Sequence, residues 1–325
     1  MVVENPILYI VIPCYNEEAV LPHTFPLFSQ QLHYLMDNGY VSPLSRILFV
    51  DDGSKDKTWD LIRRYSQEEW VEGISQNRNR GHQSTVLAGM IEAADFADIV
   101  ITIDCDGQDD ICCMTDMVQA YKNGAEIVYG VRKDRSTDTF FKRFTAEKFY
   151  KLLSKMGGEV IYNHADYRLM SKKAILALSE FKEVNIYLRG LVPLIGFNHA
   201  VVEYSRKERM AGESHYPLSK MLGLAFDGIT SLSVRPIRVI TVLGVLTSII
   251  SFIFLIWSIV SYFFGYTLVG WTSMISIMSF LGGIQLISIG IIGEYIGKIY
   301  LETKARPRYM IDRKTKGMRK ESCEK

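Results

Sequence analysis

From Val239 to Gly293 the chain carries no Asp, Glu, Lys or Arg. This gap of about 55 residues is long enough for two membrane-spanning helices of about 20 residues each. A pair of buried hairpin helices in a soluble protein is the alternative, and an uncharged run of this length argues against it. One span is expected from Val239 to about Tyr262 and a second from Trp271 to about Gly293, joined by a turn at Gly265-Tyr266-Thr267. Tyr262, Tyr266 and Trp271 suit the membrane interface. Arg235 and Arg238 precede the first span, and Lys298, Lys304, Arg306 and Arg308 follow the second, whereas the turn is uncharged. The positive-inside tendency then predicts that both outer flanks are cytoplasmic. Glu294 sits at the edge, within reach of that interface.

The residues before the spans leave room for one α/β domain with a substantial core. Short apolar runs alternate with helical stretches, as expected for a sheet of parallel strands. The runs are Leu8 to Pro13, Ile47 to Val50, Gly73 to Ser75, Ile99 to Ile103, Glu126 to Val131 and His199 to Tyr204. A formal net charge of +1 gives no argument for a nucleic-acid partner. The five cysteines, Cys14, Cys105, Cys112, Cys113 and Cys323, show neither zinc-type spacing nor a disulfide framework and suit a reducing compartment. No basic segment followed by a long apolar region and a cleavage site marks the N-terminus, so the catalytic part is expected to stay in the cytoplasm.

Carboxylates recur where strands should end. Ile99 to Ile103 delivers Asp104 and Asp106, with Gly107 and Gln108 following, a set of hard oxygen ligands suited to Mg²⁺ or Mn²⁺. A plain polar turn would look similar. Ile47 to Val50 ends in Asp51-Asp52-Gly53-Ser54, at the end of the sheet where open α/β folds bind ligands, so Asp51 and Asp52 are candidates to hydrogen-bond a base or ribose. Ser54 or Asp56 capping the next helix is the simpler alternative, and the two roles can coexist.

Basic residues supply the complementary charge. Asn77-Arg78-Asn79-Arg80-Gly81-His82-Gln83 leads into a helix, and arginines beside a helix start can hold phosphate. Arg78 alone reads as a solvated loop residue. Arg132 and Arg135, then Lys142, Arg143 and Lys148 in a helical stretch over Phe140 to Met156, are candidates for an anionic acceptor's head group, although most such charges are ordinary exposed ones. Asp166 and Arg168 read as an ion pair before a helix at Lys172 to Ser179, and His164 lacks a partner at ligand spacing. Ile186 to Gly196 is expected to be an interfacial or gate-like helix. Arg206 to Ser219 is a polar loop that either closes over substrate or links passively. Pro217 to Val234 has the pattern of an amphipathic helix at a membrane surface. Arg313 to Lys325 reads as a charged, mobile tail suited to anionic lipid.

In order along the chain stand Val11-Ile12-Pro13-Cys14-Tyr15-Asn16-Glu17-Glu18, Val50-Asp51-Asp52-Gly53-Ser54, Asn79-Arg80-Gly81-His82-Gln83 and Asp104-Cys105-Asp106-Gly107-Gln108-Asp109. They are followed by Tyr129-Gly130-Val131-Arg132, Asp166-Tyr167-Arg168-Leu169-Met170, Ala211-Gly212-Glu213-Ser214 and Gly293-Glu294-Tyr295-Ile296-Gly297. This ordered set resembles the polyprenyl-phosphate glycosyltransferases of glycosyltransferase family 2, closest to bactoprenol glucosyltransferases and dolichyl-phosphate sugar synthases. The likeness covers nearly the whole chain.

The resemblance implies a GT-A fold over residues 1–216, a juxtamembrane amphipathic region at 217–238, a transmembrane hairpin at 239–297 and a cytoplasmic charged tail at 298–325, in a bacterial cell membrane. It implies that Pro13, Tyr15, Glu17, Asp51 and Asp52 hold the nucleotide, with Arg80 and Asp104 beside them. Asp104, Asp106 and Gln108 are implied as ligands of a Mg²⁺ or Mn²⁺ ion bridging the diphosphate. Arg132, Asp166 and Arg168 are implied near the sugar and acceptor phosphate, which Arg135 and Arg143 also face. Asp106, Asp166 and Arg132 are the expected catalytic residues. Asn163, His164 and Ala165 depart from the Asp and Gly that relatives often carry there.

The implied reaction is inverting transfer of a sugar to a polyprenyl phosphate for cell-envelope glycan modification. The donor is UDP-glucose, UDP-N-acetylglucosamine or UDP-galactose, with a GDP-mannose-dependent mannosyltransferase as the alternative. A processive polysaccharide synthase is disfavoured, since two spans are few and no Gln-x-x-Arg-Trp sequence occurs. A non-catalytic nucleotide-binding membrane protein predicts binding without turnover. The expected partners are the donor, the lipid phosphate and the bilayer, with self-association left open.

Overall fold

The computed structural model describes residues 4–133, 164–184, 186–205, 235–264 and 270–315. Eight strands form one sheet: β1 (Leu8–Cys14), β2 (Arg46–Asp51), β3 (Val71–Gln76), β4 (Ile99–Thr102), β5 (Ile127–Arg132), β6 (His164–Ser171), β7 (His199–Tyr204) and β8 (Ile311–Lys314). Their order is β7-β5-β6-β4-β1-β2-β3-β8. Every residue of β1 is buried, as expected for a central parallel strand covered on both faces by helices.

The helices are α1 (Leu21–Asp37), α2 (Thr58–Tyr65), α3 (His82–Ala94), α4 (Met114–Lys122), α5 (Lys172–Ser179), α6 (Leu188–Leu194), α7 (Arg235–Phe263) and α8 (Trp271–Thr303). On one face of the sheet, α1 buries Leu21, Thr24, Phe28, Leu32 and Leu35, a single helical stripe, in the same core as α2 and α4. On the other face α3, α5 and α6 pack over Val11, Val50 and Ile74. Gly89 lets α3 approach closely, because a Cβ there would lie 2.4 Å from Val11 Cγ1 and 2.7 Å from Val50 Cγ2.

β1, β2 and β3 run parallel in one direction of strand order, while β4 pairs parallel with the other edge of β1. The order therefore reverses between β1 and β4, and a crevice opens at their carboxyl ends. This is where Cys14 to Glu18 and Asp104 to Gln108 emerge.

The sheet is mixed, which corrects the expectation of parallel strands alone. The segment read only as an Asp/Arg pair is β6, antiparallel to both β4 and β5. Tyr167 and Leu169 enter one core and Met170 the other, a period of two that the charges of Asp166 and Arg168 disguise.

The C-terminal region differs in two respects. Apolar windows at Ile237–Phe254 and Phe280–Thr303 are almost wholly unburied, so α7 and α8 are not the core of a soluble domain. However, α8 continues ten residues past Gly293 through Glu294, Lys298 and Glu302. The Glu302 carboxylate accepts the Val184 amide at 2.8 and 3.0 Å, and Arg308 donates to the Phe181 and Ser179 carbonyls. Arg313 and Lys314, expected to open a mobile tail, instead end an edge strand: β8 pairs antiparallel with β3, and Thr315 exchanges bonds with Gly73. Arg313 lies over the Trp59 ring, 5.0 Å from its centroid. The helical stretch at 140–156, the loop at 206–219, the amphipathic helix at 217–234 and the turn at 265–267 lie outside the described residues.

Candidate active site

Two loops at the crevice are knitted together. Asn16, in the left-handed region at φ 54°, donates its amide to Ser54 Oγ (2.9 Å), and its side-chain oxygen accepts the Lys55 amide (2.9 Å). The Glu17 amide donates to Thr58 Oγ1 (2.8 Å) and the Glu18 amide to Asp56 (3.1 Å), while Glu18 accepts the Lys57 amide (2.9 Å). Ser54 and Asp56 thus join the loops, and Asp56 also accepts the Thr58 amide (3.0 Å) at the start of α2.

Asp51 and Asp52 build the wall of this site from inside. Asp51 accepts the Ser54 amide (3.1 Å) and the Ser75 hydroxyl (2.7 Å), and is fully buried. Asp52, also buried, accepts the Arg80 and Gly81 amides (2.7 and 3.0 Å) and Gln76 Nε2 (3.0 Å). Burial pushes the Asp52 carboxyl up, and the bonds from Arg80, Thr85 and Gly81 offset only part of that. Pro13 is buried within β1, Glu17 is half-buried, and Tyr15 is exposed at the crevice mouth.

At the end of β4 the second group assembles around Asp166. Arg168 donates to it at 2.7 Å, Arg189 Nε and Nη2 at 3.2 and 3.1 Å, and Gln83 Nε2 at 3.3 Å. His82 Nε2 lies 3.5 Å from Asp166 and 3.6 Å from Asp104. Burial alone would raise the Asp166 carboxyl, but Arg189, His82 and Arg168 together hold it well below the usual carboxylate range. Burial pulls the His82 imidazolium down, yet Asp166 and Asp104 lift it to about 9. Burial also pushes Asp104 up; His82 opposes this, while the Asp166 and Asp106 charges add to it. A carboxylate so firmly ionised as Asp166 is a poor proton acceptor near neutrality and a good fixed anion.

Asp106 is buried and accepts the Gln108 amide at 3.1 Å across Gly107. One residue further, Asp109 accepts the Tyr204 hydroxyl at 2.6 Å, and Arg132 Nε donates to that hydroxyl at 3.4 Å. The same loop that presents Asp104 and Asp106 therefore also tethers Arg132.

The sequence profile of glycosyl transferase family 2 matches residues 9–178. The chain belongs to that family. It is 50% identical over 309 residues to the uncharacterized glycosyltransferase YkoT of Bacillus subtilis (strain 168), covering 95% of this chain and 92% of that one. It is also 40% identical over 308 residues to the bactoprenol glucosyl transferase of Shigella phage SfX, covering 93% and 97%. A solved glucosyl-3-phosphoglycerate synthase from Mycobacterium tuberculosis is a distant likeness, with TM-score 0.43 and 14% identity over 70% of this chain and 78% of that one.

The mixed sheet with its crevice at the β1/β4 reversal is a GT-A-like fold, and the protein is a glycosyltransferase. Within it, His82 lies between Asp104 and Asp166, and the Asp106 charge also acts on Asp104. Arg168 departs from expectation: it is fully buried, bonded to Asp166 and the Leu188 carbonyl (3.4 Å), and does not reach outward to an acceptor phosphate. Arg189, with a side chain one-third exposed, is the guanidinium at the surface of this cluster. Arg135 and Arg143 lie outside the described residues.

Sequence reasoning quoted His82 and Gln83 without assigning them and overlooked Arg189. The available signal was that Arg189 is the one charge in the apolar run 186–196. Among the described residues no group of three His, Cys, Asp or Glu side chains is placed to hold a metal ion by itself. Asp104 and Asp106 offer two carboxylates, which fits a Mg²⁺-type ion that completes its octahedron with substrate phosphates and water.

Proposed function

We propose that this glycosyltransferase moves a sugar from a nucleotide sugar to the phosphate of a polyprenyl lipid with inversion at the anomeric carbon. The observation that carries this reading is the docking of α8. Glu302, at the end of a membrane-length helix, is bonded to Val184, five residues before Arg189, whose guanidinium faces Asp166. A lipid-borne acceptor and a water-soluble donor then meet at one crevice. The likeness to a bactoprenol glucosyl transferase over nearly its full length supports the same chemistry.

In the reaction an acceptor phosphate oxygen forms the new bond to the anomeric carbon as the bond to the nucleoside diphosphate breaks. With a second pKa near 6, the acceptor is mostly ionised at pH 7 and needs no general base. Asp166 therefore acts as an anion that aims Arg189 and His82, rather than as a proton acceptor. Arg132, held by Asp109 and Tyr204, orients the acceptor together with Arg135 and Arg143. Tyr15, Glu17, Pro13 and Arg80 border the nucleotide, and Asp51 and Asp52 hold the loops that form its pocket. Asp104 and Asp106, with Gln108, are the residues that hold Mg²⁺ or Mn²⁺, which when bound neutralises the departing diphosphate.

The donor class is a UDP-sugar: glucose, N-acetylglucosamine or galactose. The basic flanks of α7 and α8 support a catalytic domain and termini on the cytoplasmic side. The test uses membranes holding the full chain, polyprenyl phosphate and a panel of labelled nucleotide sugars. Label is expected to move into organic solvent with one UDP-sugar, and Asp106→Ala should lower the rate by about 10²-fold or more. Nucleotide binding without extractable product, or an Asp106→Ala rate near wild type, would overturn the assignment.

A further inference from the structure

A cavity of about 410 Å³, sharing Arg80 with the border of the nucleotide site, lies where the chain leaves α8 and meets the domain. Arg78 and Arg80 reach it from the loop between β3 and α3, Arg306 and Arg308 from the segment after α8, and Ser84 and Val184 complete the wall. No acidic residue lines it, and no residue of the Asp104, Asp106 and Asp166 cluster does so. Among the described residues, none of the four arginines pairs with a carboxylate. The Nε of Arg80 is buried without a partner.

Four arginines line one space, with the Arg308 guanidinium turned to the Phe181 and Ser179 carbonyls and Arg80 Nη2 donating to Asn77 Oδ1 at 3.3 Å, so the protein must hold these like charges there. Asp52 fixes the first pair through the Arg80 and Gly81 amides. The second pair is fixed by Arg308 on the Phe181 and Ser179 carbonyls, and by the Asn77 amide on the Met310 carbonyl at 3.1 Å. A cationic cavity pre-organised in this way suits a phosphate, whose oxygens match the guanidinium fork.

Position selects the source of that phosphate. Arg306 stands three residues beyond Thr303, where the apolar window of α8 ends. The cavity therefore lies on the side of the domain where α8 arrives, and clustered arginines beside a membrane attract anionic lipid.

We propose that this cavity binds the phosphate of an anionic membrane-lipid headgroup and so clamps the foot of α8 to the catalytic domain. The proposal rests on reading α7 and α8 as membrane spans, but not on sugar transfer. The test is thermal unfolding of the full chain in neutral detergent, titrated with dihexanoyl-phosphatidylglycerol, dihexanoyl-phosphatidylcholine or inorganic phosphate.

A saturable rise in midpoint is expected with phosphatidylglycerol alone. Arg78→Gln with Arg306→Gln should weaken the lipid's apparent affinity by about tenfold or more. Neither side chain bonds to another described residue, so the fold should survive. Arg64→Gln with Lys122→Gln, on α2 and α4 across the sheet, should leave the response unchanged. An equal response in both double variants overturns the proposal. So does inorganic phosphate matching phosphatidylglycerol at equal concentration, because the site is then one for a free anion. Alkaline extraction of membranes checks the spans separately: recovery in the pellet supports them, and release to the supernatant withdraws both the spans and this proposal.

Discussion

Gly53 shows how a single position sets the crevice. At φ +66° it needs the left-handed region, and a Cβ there would lie 2.6 Å from the Arg78 carbonyl carbon and 2.9 Å from the Asn79 amide. Gly39 shares the backbone conformation, at φ +69°, but has open space around it. Gly39→Ala should therefore cost only the conformational penalty of about 1–2 kcal/mol. Gly53→Ala adds displacement of the Arg78–Gly81 loop that Asp52 holds. Denaturant unfolding should show the larger loss at Gly53, together with a raised KM for the donor; equal losses would mean that the loop yields freely. Glu72 offers a test by pH. It is buried in β3 with Oε2 unpartnered and Arg46 at 3.5 Å, and burial raises its carboxyl despite the opposing pull of Arg46 and Tyr9. A folded-state pKa above the unfolded one means that ionised Glu72 destabilises the fold at neutral pH. Stability should then rise as pH falls through the raised value toward the ordinary 4.5. Glu72→Gln should be at least as stable as wild type at pH 7 and lose that part of the pH dependence, as read from unfolding midpoints across the window.

Among the elements, the strands that were legible share one property. β1, β2 and β5 are apolar runs closed in on both faces, and β7 alternates along its length. β6 and β8 were missed for the opposite reason. Asp166 and Arg168 interrupt β6 because its carboxyl-end neighbours form the site, and Ile-Asp-Arg-Lys of β8 needs only one paired edge. Helix α8 joins the membrane part to the segment between α5 and α6. Glu302→Ala removes the acceptor of the Val184 amide, so hydrogen exchange at that amide should accelerate by about tenfold or more. Acceptor KM should rise while nucleotide affinity stays unchanged. Unaltered exchange at Val184 would show that Glu302 does not hold the joint.

For the whole molecule, the donor set predicts linkage. Two carboxylates alone hold a hard divalent ion weakly, so Mn²⁺ binding followed by electron paramagnetic resonance should tighten by about tenfold or more when UDP is added. UDP binding should tighten by the same factor with Mn²⁺. Tight Mn²⁺ binding without nucleotide, or binding that survives Asp106→Ala, would count against Asp104 and Asp106 as the ligands.

Much of this could be read from the linear chain because it depends on local composition. A charge-free stretch of membrane length must find an apolar surrounding, and buried strands that end in aspartates put carboxylates at one rim of a sheet. The rest depends on neighbours that only folding brings together. Asp166 is an ionised anchor because Arg189, His82 and Arg168 reach it from three different elements, and Arg78 lines a cavity because the foot of α8 returns Arg306 and Arg308 to its side. The charge state of a buried group and the shape of a binding space are set by distances across the fold, which spacing along the sequence does not encode.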